Sequence, residues 1–281
     1  MSRAALMRPG GARTDPAALI VAGFASIAIG VWLGWWGGDW ALATGAMWEG
    51  PSREHWLGTN RLGQDIFARS LAATARAFEI GLPVTAGAVA LGVALGLTAG
   101  FFRAGWFDAL VLWLAGVFDA LPFYLLVIAV AFALGDHPLA VHAAMLAAFW
   151  TTTARLIRAE VASLIQTDFV AAARAGGSPD RRIILRHILP HTAPIMLVQA
   201  VIVFIAAVKA EIILAFLGLG RIDGISFGGM IAESSQEILA GQYMNLAAAG
   251  LGLFVLTASL SRLANRAQTA LDPRSARNPD A

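Results

Sequence analysis

Apolar and polar positions are sorted along this chain into long blocks rather than the short periods of a soluble fold. Apolar runs with few or no charges occupy roughly 17–36, 77–101, 107–134, 139–162, 192–217 and 242–263. A helix needs about 20 apolar residues to cross ~30 Å of hydrocarbon, and each run is long enough. None shows the two-residue alternation of a barrel strand. The pattern predicts an all-α polytopic membrane protein with six spans, which places both termini on one side. A mixed segment at 37–76 follows the first span. A basic amphipathic loop at 163–191 interrupts the core at 77–263, and polar tails at 1–16 and 264–281 flank the whole.

Composition agrees with the blocks. Of 281 residues, 58% are hydrophobic and 14% charged, with mean hydropathy +0.69. A soluble domain carries about a quarter charged residues. There is no cysteine, so disulfides, a thiolate nucleophile and a cysteine-bearing metal site are all excluded. A sequence pI near 9.6 raises the question of nucleic acid, but the placement of charge answers it otherwise. With the N-terminus in the cytoplasm, fourteen arginines lie on that side, against Arg53, Arg61, Arg69, Arg76 and Arg221 outside. That is the positive-inside bias of a membrane protein, and it puts 163–191 in the cytoplasm. No nucleic-acid partner is needed. The N-terminal arginines, the apolar run and Ala41-Leu42-Ala43 resemble a cleaved signal peptide. The run is longer than the usual h-region of roughly 7–15 residues, and the Trp32, Trp35, Trp36 and Trp40 cluster looks like an interfacial belt. An uncleaved first span is expected.

The cytoplasmic loop reads as two short helices. Asp168 is a candidate N-cap for a small-residue helix through Ala171, Ala172, Ala173 and Arg174, and Gly176-Gly177 can stop it. Ser178-Pro179-Asp180 can restart a helix, and Ile184/Ile188 with Leu185/Leu189 repeat at i+4 as an apolar stripe. Pro190 is expected to end it. Small side chains suit insertion into a partner's groove, whereas a basic amphipathic helix also suits anionic lipid; physics alone leaves both open.

The motif D-F-V-A-A-A-R-A-G-G followed by R-I-I-L-R-H-I-L-P (168–177 and 182–190) resembles the coupling loop of permease subunits in binding-protein-dependent ABC importers. His55-Trp56-Leu57-Gly58-Thr59-Asn60-Arg61-Leu62-Gly63-Gln64-Asp65 is similar to an external motif of the dipeptide, oligopeptide and nickel branch. So are Ala210-Glu211 with Leu214-Ala215-Phe216-Leu217-Gly218-Leu219-Gly220, and the ending Ala270-Leu271-Asp272-Pro273-Arg274. The four occur in order from residue 55 to 274. The resemblance implies the six-helix bundle of a type I ABC importer permease in a bacterial or archaeal inner membrane, moving a peptide, a chelated metal such as nickel, or another small polar solute. It implies a second permease subunit, cytoplasmic ATPase subunits and an extracytoplasmic solute-binding protein as partners, with lipid around the bundle and no cofactor. Asp168, Ala171, Ala172, Ala173, Arg174 and Gly177 would seat in the ATPase. Departures are also visible. Ala171 replaces the usual glutamate, His191 stands where asparagine is common, and Asn60 and Gln64 replace an aspartate and an arginine, which puts an ion pair there in doubt. Trp113 and Gly116 stand where the family has arginine and aspartate.

Independently of the resemblance, a phosphate-binding P-loop needs a Gly-Lys pair. The single lysine, Lys209, follows Val208, so a nucleotide site of that kind must come from another chain. Asp119, Lys209 and Glu211 are charges inside apolar runs, where each is expected to find water or a partner. They could line a pathway or lock helices together. An ion-coupled secondary transporter using these three residues is the alternative, but 17–134 and 139–263 show no convincing internal repeat. No Ser/His/Asp set or paired aspartates point to an enzyme, and His55, His137, His142, His187 and His191 show no metal-ligand clustering. Pro122 is expected to kink the third span. Gly92, Gly96 and Gly100 form a close-packing face, and Ile66-Phe67 with Leu71 reads as an amphipathic helix at the outer interface.

Overall fold

A computed structural model describes residues 15–135, 137–218 and 224–271. The tails at 1–14 and 272–281, Leu219-Gly220 and Arg221 lie outside the described residues. Within them the chain is helical: α1 Pro16–Trp32, α2 Ile66–Phe101, α3 Trp106–Ala120, α4 Phe123–Leu134, α5 Ala140–Leu164, α6 Asp168–Ala175, α7 Asp180–Arg182, a π-helical segment Ile183–Ile188, α8 Leu189–Phe216, α9 Phe227–Leu239 and α10 Met244–Leu271.

Helix α2 is the spine. Its 36 residues extend for roughly 54 Å at ~1.5 Å per residue, and more than half are buried. The expected glycine face is real and packs on α5. A Cβ at Gly92 would sit 2.8 Å from the Trp150 carbonyl oxygen, at Gly96 2.6 Å from that of Ala154, and at Gly100 2.8 Å from that of Arg158. Three consecutive glycine turns therefore let the two backbones touch. Ile157 and Val161 of α5 fill the core below, with Val93, Leu97 and Phe101 of α2. A Gly96→Val substitution forces these backbones apart and is expected to destabilise the fold by about 1–3 kcal/mol. A lowered thermal midpoint in detergent checks it; an unchanged midpoint contradicts the packing.

Several boundaries differ from the sequence reading. Helix α2 starts at Ile66, not near 77, and buried Ile66 begins the spine instead of an interfacial helix. The third span is broken rather than kinked: α3 and α4 meet at 98° across Leu121-Pro122. Leu121 is extended (ψ 137°), as a residue before proline prefers, and Pro122 can only start the next helix. Helix α9 falls between the last two apolar runs, where Ser234, Ser235, Gln236 and Glu237 interrupt its apolar positions. Ser226 caps it by accepting from Gly229 N at 3.2 Å.

The segment between α1 and α2 is stapled down at the start of α2. The Arg69 guanidinium, 2% exposed, bonds the Gln64 carboxamide and lies 2.5 Å from Glu233 of α9. Asn60 donates to Gln64 at 2.8 Å, and Arg61 N donates to Glu237 at 3.0 Å. The two positions that depart from the family motif thus form an amide pair, and the ion pair runs through Arg69 instead. At the other ends of α1 and α10, Asp15 caps α1 through Ala17 N and pairs with Arg266 at 2.5 Å.

Candidate functional site

The α6 elbow is built by three local choices. Thr167 occupies the N-cap position with extended backbone (ψ 153°), and Asp168 is the first helical residue, so the expected aspartate cap is displaced by one. The Thr167 hydroxyl does not cap α6 either; it donates to the Leu164 carbonyl at 2.5 Å, closing the end of α5. The helix stops as expected at Gly176, and Gly177 turns the chain at φ +73°, a conformation that glycine adopts without strain. Pro179, not Ser178, then stands at the cap of α7, because the Ser178 amide is drawn back to the Ala173 carbonyl at 3.1 Å.

The next turns also correct the sequence reading. Ile183–Ile188 is a π-helix, so the buried stripe is Ile183 and Ile188, five apart, while Leu185 faces out. Pro190 does not end the helix. A π turn already shifts the hydrogen-bond ladder there, and the chain runs without interruption from Asp180 to Phe216. His191 Nδ1 lies 2.6 Å from the His187 carbonyl oxygen, so the two histidines do share a helical turn.

These turns fasten one side of the elbow and leave the other open. Val170, fully buried, packs with Ile183 and Ile188 into the α2–α5 core, and half-buried Ala173 leans on the same cluster. Phe169 stacks on His191 at 4.8 Å between ring centroids, and Arg174 lies 5.3 Å over the Phe101 ring at the end of α2. The outward surface consists of Ala171, Ala172, Ala175, Gly176 and Gly177 with Asp168 and Arg174. It is a face of small residues flanked by Asp168, Phe169 and Arg174, on a body wedged against the spine.

Against α5, two carboxylates of α3 hold two arginines. Asp108 is buried, takes the Arg158 guanidinium through both oxygens (Nη2 to Oδ2 2.7 Å) and accepts from Ala104 N at 3.0 Å. Asp119 accepts from Thr151 at 2.7 Å and lies 2.9 Å from Arg155, with both charged side chains partly solvated. Asp119 is thus a helix-to-helix tie here. These arginine partners escaped the sequence reading; an Arg-x-x-Arg pair on α5 facing Asp108 and Asp119 on α3 was the available signal.

Glu211 and Lys209 part company on α8. Glu211 is buried with Ser226 as its hydrogen-bond partner and feels Arg76 across the bundle. Lys209 is exposed on a face shared with Ile202, Ile213 and Phe216, which no helix among the described residues covers. Among the described residues no cluster of metal-binding side chains occurs.

Residues 92–277 match the binding-protein-dependent transport system inner membrane component family, more than half of the chain. The chain belongs to that family. It is a multi-pass inner-membrane permease and a transport subunit. Over 224 residues it is 33% identical to a Brucella suis protein named for a peptide transport system permease, covering 80% of this chain and 75% of that one. It is 31% identical to the dipeptide transport system permease DppC of Alkalihalophilus pseudofirmus (80% and 74% covered) and to the glutathione transport system permease GsiD of Pectobacterium atrosepticum (80% and 75%). Among solved structures, the MetNI methionine ABC transporter in an inward-facing conformation is similar at TM-score 0.47 and 19% identity, covering 70% of this chain and 95% of that one.

Proposed function

We propose that this permease is one membrane half of an ATP-driven importer for short peptides, worked through the α6 elbow by a separate ATPase. The observation that carries the reading is the elbow's two-sidedness: an open alanine-glycine face outward, and Val170, Ile183 and Ile188 wedged into the α2–α5 core behind it. A push on the open face is transmitted to the spine as a rigid-body shift, because Val170, Ile183 and Ile188 are close-packed between the two. The single lysine stands outside any P-loop context, so the nucleotide site belongs to a partner.

The peptide class is supported by relatives named for peptide, dipeptide and glutathione transport. Arginine placement favours a cytoplasmic elbow with both termini on the same side. The Asp15–Arg266 pair agrees, since α1 ends beside the start of α2 and its own start therefore lies toward the elbow. The segment 37–65, held by Arg69 and Arg61, is then a fixed extracytoplasmic lid that can present exposed Met47, Trp56 and Leu62 to a solute-binding protein. The uncovered stripe of α8 is the surface for the second permease, and Lys209 within it reaches the pathway between the halves. Lys209→Met is expected to change peptide selectivity several-fold with little effect on thermal stability, read by competition uptake; unchanged selectivity with a lowered midpoint contradicts the pathway role.

Proteoliposomes containing the permease, its ATPase, second permease and binding protein test the reading. Labelled dipeptide should enter only with ATP inside the compartment that the elbow faces. Uptake driven by an ion gradient without ATP would overturn it.

A further inference from the structure

A cavity of about 270 Å³ opens where α1 ends, lined by Trp32, Trp36 and Trp40, by Arg76 and Glu79 of α2, and by Ile225. None of these residues belongs to the elbow, the α8 stripe or the motifs shared with the family. The turn that forms it depends on Gly34 (φ +75°) and Gly37 (φ +71°), which fold the chain back onto α2 and lay the Trp36 ring over Gly30. Inside, Arg76 Nη1 lies 2.9 Å from Glu79 Oε1; the arginine is mostly buried and the glutamate nearly half exposed.

Arg76 faces Glu79 inside the cavity and Glu211 across the bundle, and the charge pair open to the cavity beneath its tryptophans discriminates among ligands. An anion alone would face Glu79 and a cation alone would face Arg76, whereas a zwitterion can satisfy both. Indole faces add attraction for an ammonium group. We propose that this cavity binds a zwitterion bearing a primary ammonium and an oxyanion, with the oxyanion at Arg76 and the ammonium at Glu79, and that the headgroup of phosphatidylethanolamine supplies it. The position favours lipid: α1 has only 17 residues and closes on exposed Trp32, Leu33, Trp35 and Trp36, an aromatic belt at headgroup depth. A free dipeptide carries the same two groups and is the other source of this chemistry.

The full-length chain is reconstituted in nanodiscs with equal parts phosphatidylethanolamine, phosphatidylcholine and phosphatidylglycerol, extracted, and weighed by native mass spectrometry. Phosphatidylethanolamine should be retained in excess. Glu79→Gln should cut the excess about tenfold, the worth of one charge-assisted hydrogen bond, and Trp32→Leu, which leaves the Arg76–Glu79 pair intact, several-fold with the thermal midpoint unmoved. A second arm titrates alanyl-alanine into the chain in phosphatidylglycerol nanodiscs by calorimetry; binding lost in Glu79→Gln assigns the site to a free zwitterion and sustains its chemistry. If neither ligand binds selectively, or if selectivity survives both substitutions, the proposal is overturned.

Discussion

Ala172→Asp is expected to abolish most ATP-driven uptake, by on the order of tenfold or more, while the purified permease keeps its thermal midpoint. The alanine is exposed, so the free chain tolerates a carboxylate. Burying that carboxylate in a partner's groove without a counter-charge costs several times the ~1.4 kcal/mol that equals a factor of ten. Ala173→Asp serves as the contrast. Its Cβ leans on the core formed by Val170 and Ile183, so it should lower the midpoint as well as uptake. Normal uptake by Ala172→Asp would remove the elbow from the coupling path, and a large loss of stability would show that its face is not open.

Asp108→Ala should have the largest effect on stability, about 3–5 kcal/mol, because it strands a guanidinium that is largely buried. It also frees Ala104, which stands at φ +65° and is held there by its bond to Asp108. Asp108→Asn keeps an acceptor for both partners and should lose less, and the double variant Asp108→Ala/Arg158→Met should recover part of the loss. Thermal unfolding of the four proteins in one detergent checks the order. Equal midpoints for Asp108→Ala and the parent chain would mean that the pair is solvated and contributes little.

The parts of the architecture written in local spacing were legible from the chain itself. Gly92, Gly96 and Gly100 recur every fourth residue, and that spacing alone puts a bare strip on one side of a helix. Gly176-Gly177 announced the elbow's end because few other residues turn at φ +73°. What stayed hidden depends on groups brought together by folding. Thr167 spends its hydroxyl on Leu164, which no propensity for capping reveals, and so Asp168 slips into the helix. The π register of Ile183–Ile188 replaces an i+4 stripe that the letters support equally well. Arg69 finds Glu233 across 164 positions, and Arg158 finds Asp108 across 50, beyond the reach of any periodic pattern. Of Asp119, Lys209 and Glu211, the aspartate and the glutamate are tied to neighbouring elements, and Lys209 stands on a face that no described helix covers.

The absence of native cysteine permits a direct test of the elbow as a lever. Ala172→Cys introduces one thiol, which is labelled with a short maleimide–diazirine cross-linker and photoactivated in the assembled transporter in membranes, where the carbene inserts into whatever protein faces it. A covalent product joining this chain to the nucleotide-hydrolysing subunit, with a yield that changes when ATP is trapped, is the predicted result. A thiol at that position that reacts freely with soluble maleimide in the full assembly, and joins no ATPase in any nucleotide state, would contradict it.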